Sequence, residues 1–169
     1  MAFLPEDFVV PTLVAGQRFR IRPITVHDLV KDYDAVMSSR ERLWERFGAS
    51  WGWPLPDLSF EQALVDLAWL QKEGQLRRSF TFAVLTADEE RLLGRVHILP
   101  PPRSGHADEV DAGVVFWVRS DEEGTGLERE LGDFVREWTT VTWPFKNVRY
   151  PGVDAPWDGW AISWSAGQG

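Results

Sequence analysis

The chain contains no cysteine, and only three of its 18 basic residues are lysines, Lys31, Lys72 and Lys146. The missing thiols exclude disulfides, thiolate metal sites and cysteine nucleophiles together. They are compatible with a reducing compartment. No run approaches the roughly 20 apolar residues that span a bilayer. The segment from Met1 to Val14 has no basic start, and Glu6 and Asp7 interrupt it. It does not have the pattern of a secretory signal. The expected setting is therefore the cytoplasm, with no membrane partner.

Basic charge is also scarce. The formal net charge is -8, so nonspecific nucleic-acid binding, which needs a basic surface, is not expected. The same charge keeps a chain soluble and would steer cationic small molecules toward it. What is abundant is tryptophan, at ten residues in 169. Trp51 and Trp53 lie in a Gly/Pro-rich stretch, and Trp157, Trp160 and Trp164 lie in a Trp-rich tail over residues 151–169. Large rings in loops and tails line pockets or pack interfaces. A homodimer that exchanges the tail between subunits is one expectation from this pattern.

Periodicity places the elements. Gln17–Ile24 alternates, with Phe19 and Ile21 against three arginines, as a half-buried strand does. Thr25 with Asp28 forms a capping box that opens a helix to about Met37. A short helix fits Ser39–Phe47, ended by Gly48. Ser59 with Gln62 starts another, whose Ala63, Leu64, Leu67 and Leu70 share one face. Trp69 falls on its far side. Ser79–Thr86 and Leu92–Leu99 form a hairpin across an acidic connection. The prolines at 100–102 stop it, and residues 103–108 form a loop.

Val110–Val118 is the most apolar strand and reads as covered on both faces. A helix from Gly126 to Thr140 carries the stripe Leu127, Leu131, Phe134, Val135 and Trp138. Asn147–Tyr150 is a last strand, parallel to Val110–Val118 if the helix is a right-handed crossover. The expected fold class is thus α/β (α+β): one domain over residues 1–169, with a mixed, mostly antiparallel sheet and helices on both sides. Gly124 and Gly126 suit either a tight turn into the helix or a backbone approached closely by an anion. No histidine spacing fits a metal site, and His97 reads as a strand residue.

These residues, in this order, resemble the GNAT superfamily of acyl-CoA-dependent N-acetyltransferases. Arg20-Ile21-Arg22-Pro23-Ile24-Thr25 with Asp28 looks like its first strand and helix start. Leu93-Gly94 fits its third strand, and Ala112–Val118 followed by Gly124-Thr125-Gly126 looks like its cofactor segment. The resemblance runs from about Arg18 to Tyr150. It implies an acetyltransferase that moves an acetyl group from acetyl-CoA to a small amine. It also implies that Phe116, Trp117, Val118, Arg119, Glu123, Gly124, Thr125, Gly126 and Leu127 hold the cofactor. Asp111 (with Glu109 as the weaker choice) is the expected base, and Tyr150 the expected acid.

The loop departs from the family pattern. Glu123 stands where a basic or amide residue belongs, and Glu128 where a small one belongs. With Asp121 and Glu122, these carboxylates would repel a pyrophosphate, unless Arg119 and Arg129 compensate. A second expectation follows from that departure: a catalytically inactive GNAT-like protein whose Trp-rich pocket binds a ligand or partner.

Overall fold

The computed structural model describes residues 3–102, 110–157 and 159–160. Six strands run through them: β1 (Val14–Ala15), β2 (Arg20–Pro23), β3 (Phe80–Leu85), β4 (Leu92–Leu99), β5 (Ala112–Val118) and β6 (Val148–Arg149). Four α-helices accompany them: α1 (Leu29–Ser38), α2 (Arg40–Trp51), α3 (Phe60–Gln75) and α4 (Leu127–Val141). The strands lie in chain order in one sheet. Every neighbouring pair is antiparallel except β5–β6. Short turns join β1 to β2 and β3 to β4, helices α1 to α3 lie between β2 and β3, and the α4 crossover makes β6 parallel.

Helices cover both faces, as β5 itself requires. Its Val115 and Trp117 pack into a core with α1, α2 and α3, while Val114 and Val118 pack toward α4 with Leu127, Leu131, Val135 and Trp138. A strand buried on both faces reads as an unbroken apolar run. The Thr25–Asp28 capping box forms, whereas at Ser59 the N-cap bond forms and the Gln62 side chain turns to Asp66 instead of completing the box. Thr25 Oγ1 accepts from His27 N at 3.3 Å, Asp28 Oδ2 accepts from Thr25 N at 2.9 Å, and Ser59 Oγ accepts from Gln62 N at 3.0 Å.

Two local expectations are corrected. The helix after Ser39 continues through Gly48 to Trp51 and ends at Gly52, which takes a left-handed φ of 62°. Gly48 is interior because the Trp44 ring lies over it; a Cβ there would meet that ring at 2.7 Å. On α3, Leu64 is exposed, and Asp66 joins Ala63, Leu67 and Leu70 on the buried face. Gln62 Nε2 donates to Asp66 Oδ1 at 2.9 Å, and burial pushes the Asp66 carboxyl upward. The loop 103–108, His106, Glu109 and Trp164 lie outside the described residues.

His97, on β4, is fully buried, with Nδ1 3.0 Å from Thr81 Oγ1. Burial first, and the Arg95 charge second, hold its pKa well below the ordinary 6.5. The native imidazole therefore stays neutral where the unfolded chain takes up a proton. Stability should be full above the unfolded value and should fall as pH drops below it, by up to about 1.4 kcal/mol per pH unit. Urea melts of wild type and His97→Gln at pH 7 and pH 5 check this. The wild type should lose more stability across that interval than the variant.

Candidate functional site

The parallel pair β5–β6 is where the sheet opens. Ala112 pairs with Val148 and Gly113 with Arg149, and there the register stops. β4 continues beside β5 as far as Val118. From Val114 to Val118, β5 has no strand on its other edge among the described residues. Backbone amides on such an edge are available to an extended ligand. Gly94, on β4, fits a close approach at the end of this ladder. A Cβ there would meet the Trp117 carbonyl oxygen at 2.0 Å.

Beyond Val118 the chain makes a 3-10 turn over Ser120–Glu122 and enters α4 through two glycines in left-handed backbone, Gly124 at φ 80° and Gly126 at φ 83°. Neither glycine has any atom near the place of a Cβ. Gly126, at the N-cap of α4, offers no side-chain acceptor, and Leu127 N donates to Thr125 Oγ1 at 3.3 Å. The first-turn amides of α4 thus lie open to an anion, with the helix dipole behind them.

Phe116, Glu122, Glu123, Gly124 and Gly126 line one cleft of about 680 Å³ with Arg46, Glu128 and Arg129. The Phe116 ring lies over α4 at Gly132, where a Cβ would meet it at 3.1 Å. Trp117 and Val118 line an adjoining cleft of about 320 Å³ with Arg42, Leu43, Arg46 and Glu128. Six of the sequence-expected cofactor residues line the two clefts around one helix start: Phe116, Trp117, Val118, Glu123, Gly124 and Gly126; Thr125 bonds the same helix start through Leu127 N. Leu127 is buried beneath them as the first core residue of α4.

Arg119 has a different place from the expected one. It is buried, and its guanidinium donates to Leu92 O at 3.1 Å, Asp34 Oδ2 at 3.0 Å and Asp121 Oδ1 at 2.8 Å. It anchors the loop and does not face the cleft. Arg129 is exposed and lines the cleft.

The acidic loop is also less negative than its sequence. Arg91 bonds Asp121, and its Nη1 donates to Glu122 Oε1 at 2.8 Å. Arg18 lies 4.0 Å from Glu122. Arg42 Nη2 donates to Glu128 Oε2 at 2.7 Å. Only Glu123, of these four carboxylates, has no ion pair among the described residues. Sequence reading missed Arg42 and Arg46, though their spacing of four on α2 puts both on one face.

The two expected proton-transfer residues are occupied elsewhere. Asp111 Oδ2 accepts from Lys146 N at 2.6 Å and Asn147 N at 2.8 Å, fixing the approach to β6. The Tyr150 ring is buried against α4, its hydroxyl 3.3 Å from Thr139 Oγ1, with Arg136 Cζ 4.0 Å above the ring. Asp111→Ala should cost about 2 kcal/mol, because two charge-assisted bonds to backbone amides are lost. A denaturant melt reads the loss. A variant as stable as wild type would show that Asp111 has no such anchoring role.

The tryptophans pack on each other. Trp51 stacks on Phe47 at 4.7 Å, Trp157 meets both edge-on, and Trp51 Nε1 donates to Trp160 O at 3.0 Å. Trp160 fits against Gly113 at the fork, where a Cβ would meet its ring at 2.2 Å. Trp51, Trp53 and Trp160 belong to the chain's own core. This removes the basis for a Trp-lined binding pocket, because the rings bury one another. Among the described residues no cluster could hold a metal ion, and no helix is long and apolar enough to cross a membrane.

A strand fork set above a glycine turn and an uncapped helix start defines a frame for an elongated ligand with an anionic end. No protein-family model matches the sequence, and no curated protein matches it by sequence. Solved structures match by fold. A ribosomal-protein-S5-alanine acetyltransferase from Vibrio fischeri is 18% identical, at a TM-score of 0.58 over 77% of this chain and 68% of its own. A GNAT-family acetyltransferase, so assigned in Bordetella pertussis, is 15% identical, at 0.60 over 82% and 77%. A microcin C7 self-immunity acetyltransferase, solved with acetyl-CoA and AMP, is 9% identical, at 0.55 over 76% and 67%. The chain has the fold of the GNAT superfamily.

Proposed function

We propose that this protein is an N-acetyltransferase that takes acetyl-CoA as donor and a small amine as acceptor. One observation carries the reading. The open edge of β5 runs from the fork at Gly113 to the glycine turn and the uncapped start of α4, and two clefts that share Arg46 and Glu128 flank its end from Phe116 to Val118. The edge has backbone groups for an amide-bearing arm, and the helix start has amides and dipole for a pyrophosphate. GNAT-fold structures solved with CoA and with acetyl-CoA support the choice of donor.

The bound donor would supply an acyl thioester open to attack. This chain's part is to fix the donor along β5 and leave the mouth of the fork to the amine. An amine must lose its proton before it attacks. Asp111 and Tyr150 already hold internal hydrogen bonds, so we assign the proton to water at the open cleft mouth. The net charge of -8 favours a cationic amine by steering. The cytoplasm, where thiols stay reduced, is the setting that goes with this reading. Several GNAT-fold neighbours are named for acting on ribosomal proteins, so a protein N-terminus is the acceptor to assay beside small amines.

Acetyl-CoA should raise the melting temperature. At a hundredfold excess over its Kd the stabilisation is about 2.7 kcal/mol. No shift at millimolar acetyl-CoA would overturn the reading.

A further inference from the structure

Arg46 stands on α2 and lines both clefts flanking the start of α4. Its neighbour one helical turn back, Arg42, holds Glu128 at 2.7 Å. Arg46 Nη1 lies 3.8 Å from the other oxygen of the same carboxylate. That is beyond hydrogen-bonding distance. Two guanidinium groups thus share one carboxylate, and Arg46 has the weaker share. The Phe47 ring lies against its guanidinium, 4.9 Å from Cζ to centroid. Burial, opposed by Glu128 and aided by the like charge of Arg42, pulls the Arg46 pKa below its ordinary value. A charge that is partly desolvated and under-neutralised is stabilised by any anion that reaches it.

Glu128 completes the picture. It occupies the second position of α4, where a carboxylate ordinarily caps its own helix. Its Oε2 turns instead to Arg42 of α2. The α4 amides stay open, and a resident negative charge sits beside them.

We propose that Arg46 is the residue that binds the anionic end of the ligand from the α2 side. It supplies the positive charge that the loop, with Glu123 in the basic position, lacks. Glu128 is the internal anion that Arg46 leaves when a phosphate arrives. This assignment rests on the acyl-CoA reading and adds to it the source of the cation. Arg46 is a binding residue and takes no part in the chemistry.

Binding of CoA to wild type, Arg46→Ala, Arg46→Lys and Glu128→Gln, followed by calorimetry at low and high salt, tests it. Arg46→Ala should bind CoA about tenfold more weakly, and its affinity should depend less on salt. Arg46→Lys should recover part of the loss. Glu128→Gln should bind CoA severalfold more tightly than wild type, because a competing anion is gone. Melting temperatures of the free variants separate folding from binding.

Arg46→Ala with wild-type affinity and salt dependence would overturn the assignment and leave the acyl-CoA reading standing. Weaker binding with unchanged salt dependence would also overturn it, since that pattern belongs to a structural residue. Failure of wild type itself to bind CoA would sink both.

Discussion

Asp32→Ala should destabilise the protein by about 3–5 kcal/mol, because it removes the two-point ion pair that the buried Arg95 guanidinium makes with α1. Asp32 on α1 and Arg95 on β4 are both almost fully buried. Arg95 Nε donates to Asp32 Oδ1 at 2.8 Å and its Nη2 to Oδ2 at 2.5 Å, a two-point contact of fixed geometry. The Trp53 and Trp117 rings lie 5.2 and 5.7 Å from Arg95 Cζ. The pair therefore ties α1 to the sheet directly under the Trp117 wall of the smaller cleft. Typical domains have about 5–15 kcal/mol in all, so the loss would be a large share of the fold's stability. Replacing both partners, as Asp32→Ala with Arg95→Met, should cost less than Asp32→Ala alone. Both charges are then gone from the interior. Urea midpoints of the single and double variants decide it. A single variant within about 1 kcal/mol of wild type would show that the pair is not held as described.

Glu123→Arg should raise the affinity for acetyl-CoA by about tenfold. The substitution changes the local charge by two units at an exposed position, and each unit is worth on the order of 1 kcal/mol at contact in water. Glu123 lines the cleft and has no ion pair to give up among the described residues. Asp121 offers the contrast. It already accepts from Arg119 and Arg91, which keep their bonds to Leu92, Asp34 and Glu122 without it, so Asp121→Ala should loosen the loop, with no comparable gain in binding. Calorimetric titration of both variants at one salt concentration separates the cases. Equal affinities for wild type and Glu123→Arg would mean that the anionic end of the ligand does not pass Glu123.

The fold was legible where physics is local. The stripe of α4 repeats every turn, and β5 is apolar throughout because helices cover both its faces. Thr25 and Asp28, or Ser59 and Gln62, need only three residues of chain to cap a helix. The end of α2 was misread because Gly48 signals a stop in sequence, whereas in space it makes room for Trp44.

The site was half legible. Its strand follows from an unbroken apolar run and its glycines were placed by the family resemblance, but its electrostatics have no such signal. The partners of these carboxylates come from 31 and 86 residues away: Arg91 to Glu122 and Arg42 to Glu128. Such distances carry no sequence signal, so a cross-linked loop looks in sequence like a repulsive one. Asp111 and Tyr150 were singled out by type and position. Their hydrogen bonds, to Lys146 and Asn147 amides and to Thr139, depend on how β6 returns beside β5. The tail tryptophans were ambiguous for the same reason. Only the packed structure shows that Trp157 and Trp160 meet Trp51 of the same chain.

In the proposed complex, acyl-CoA lies along the open edge of β5 with its pyrophosphate at the start of α4. Amide hydrogen exchange with and without acetyl-CoA tests it most directly. Saturating acetyl-CoA should slow exchange in two segments, Val114–Val118 and Gly124–Arg129, with little change in the β1–β2 region on the far edge of the sheet. Unchanged exchange in both segments, or protection confined to other parts of the chain, would contradict it.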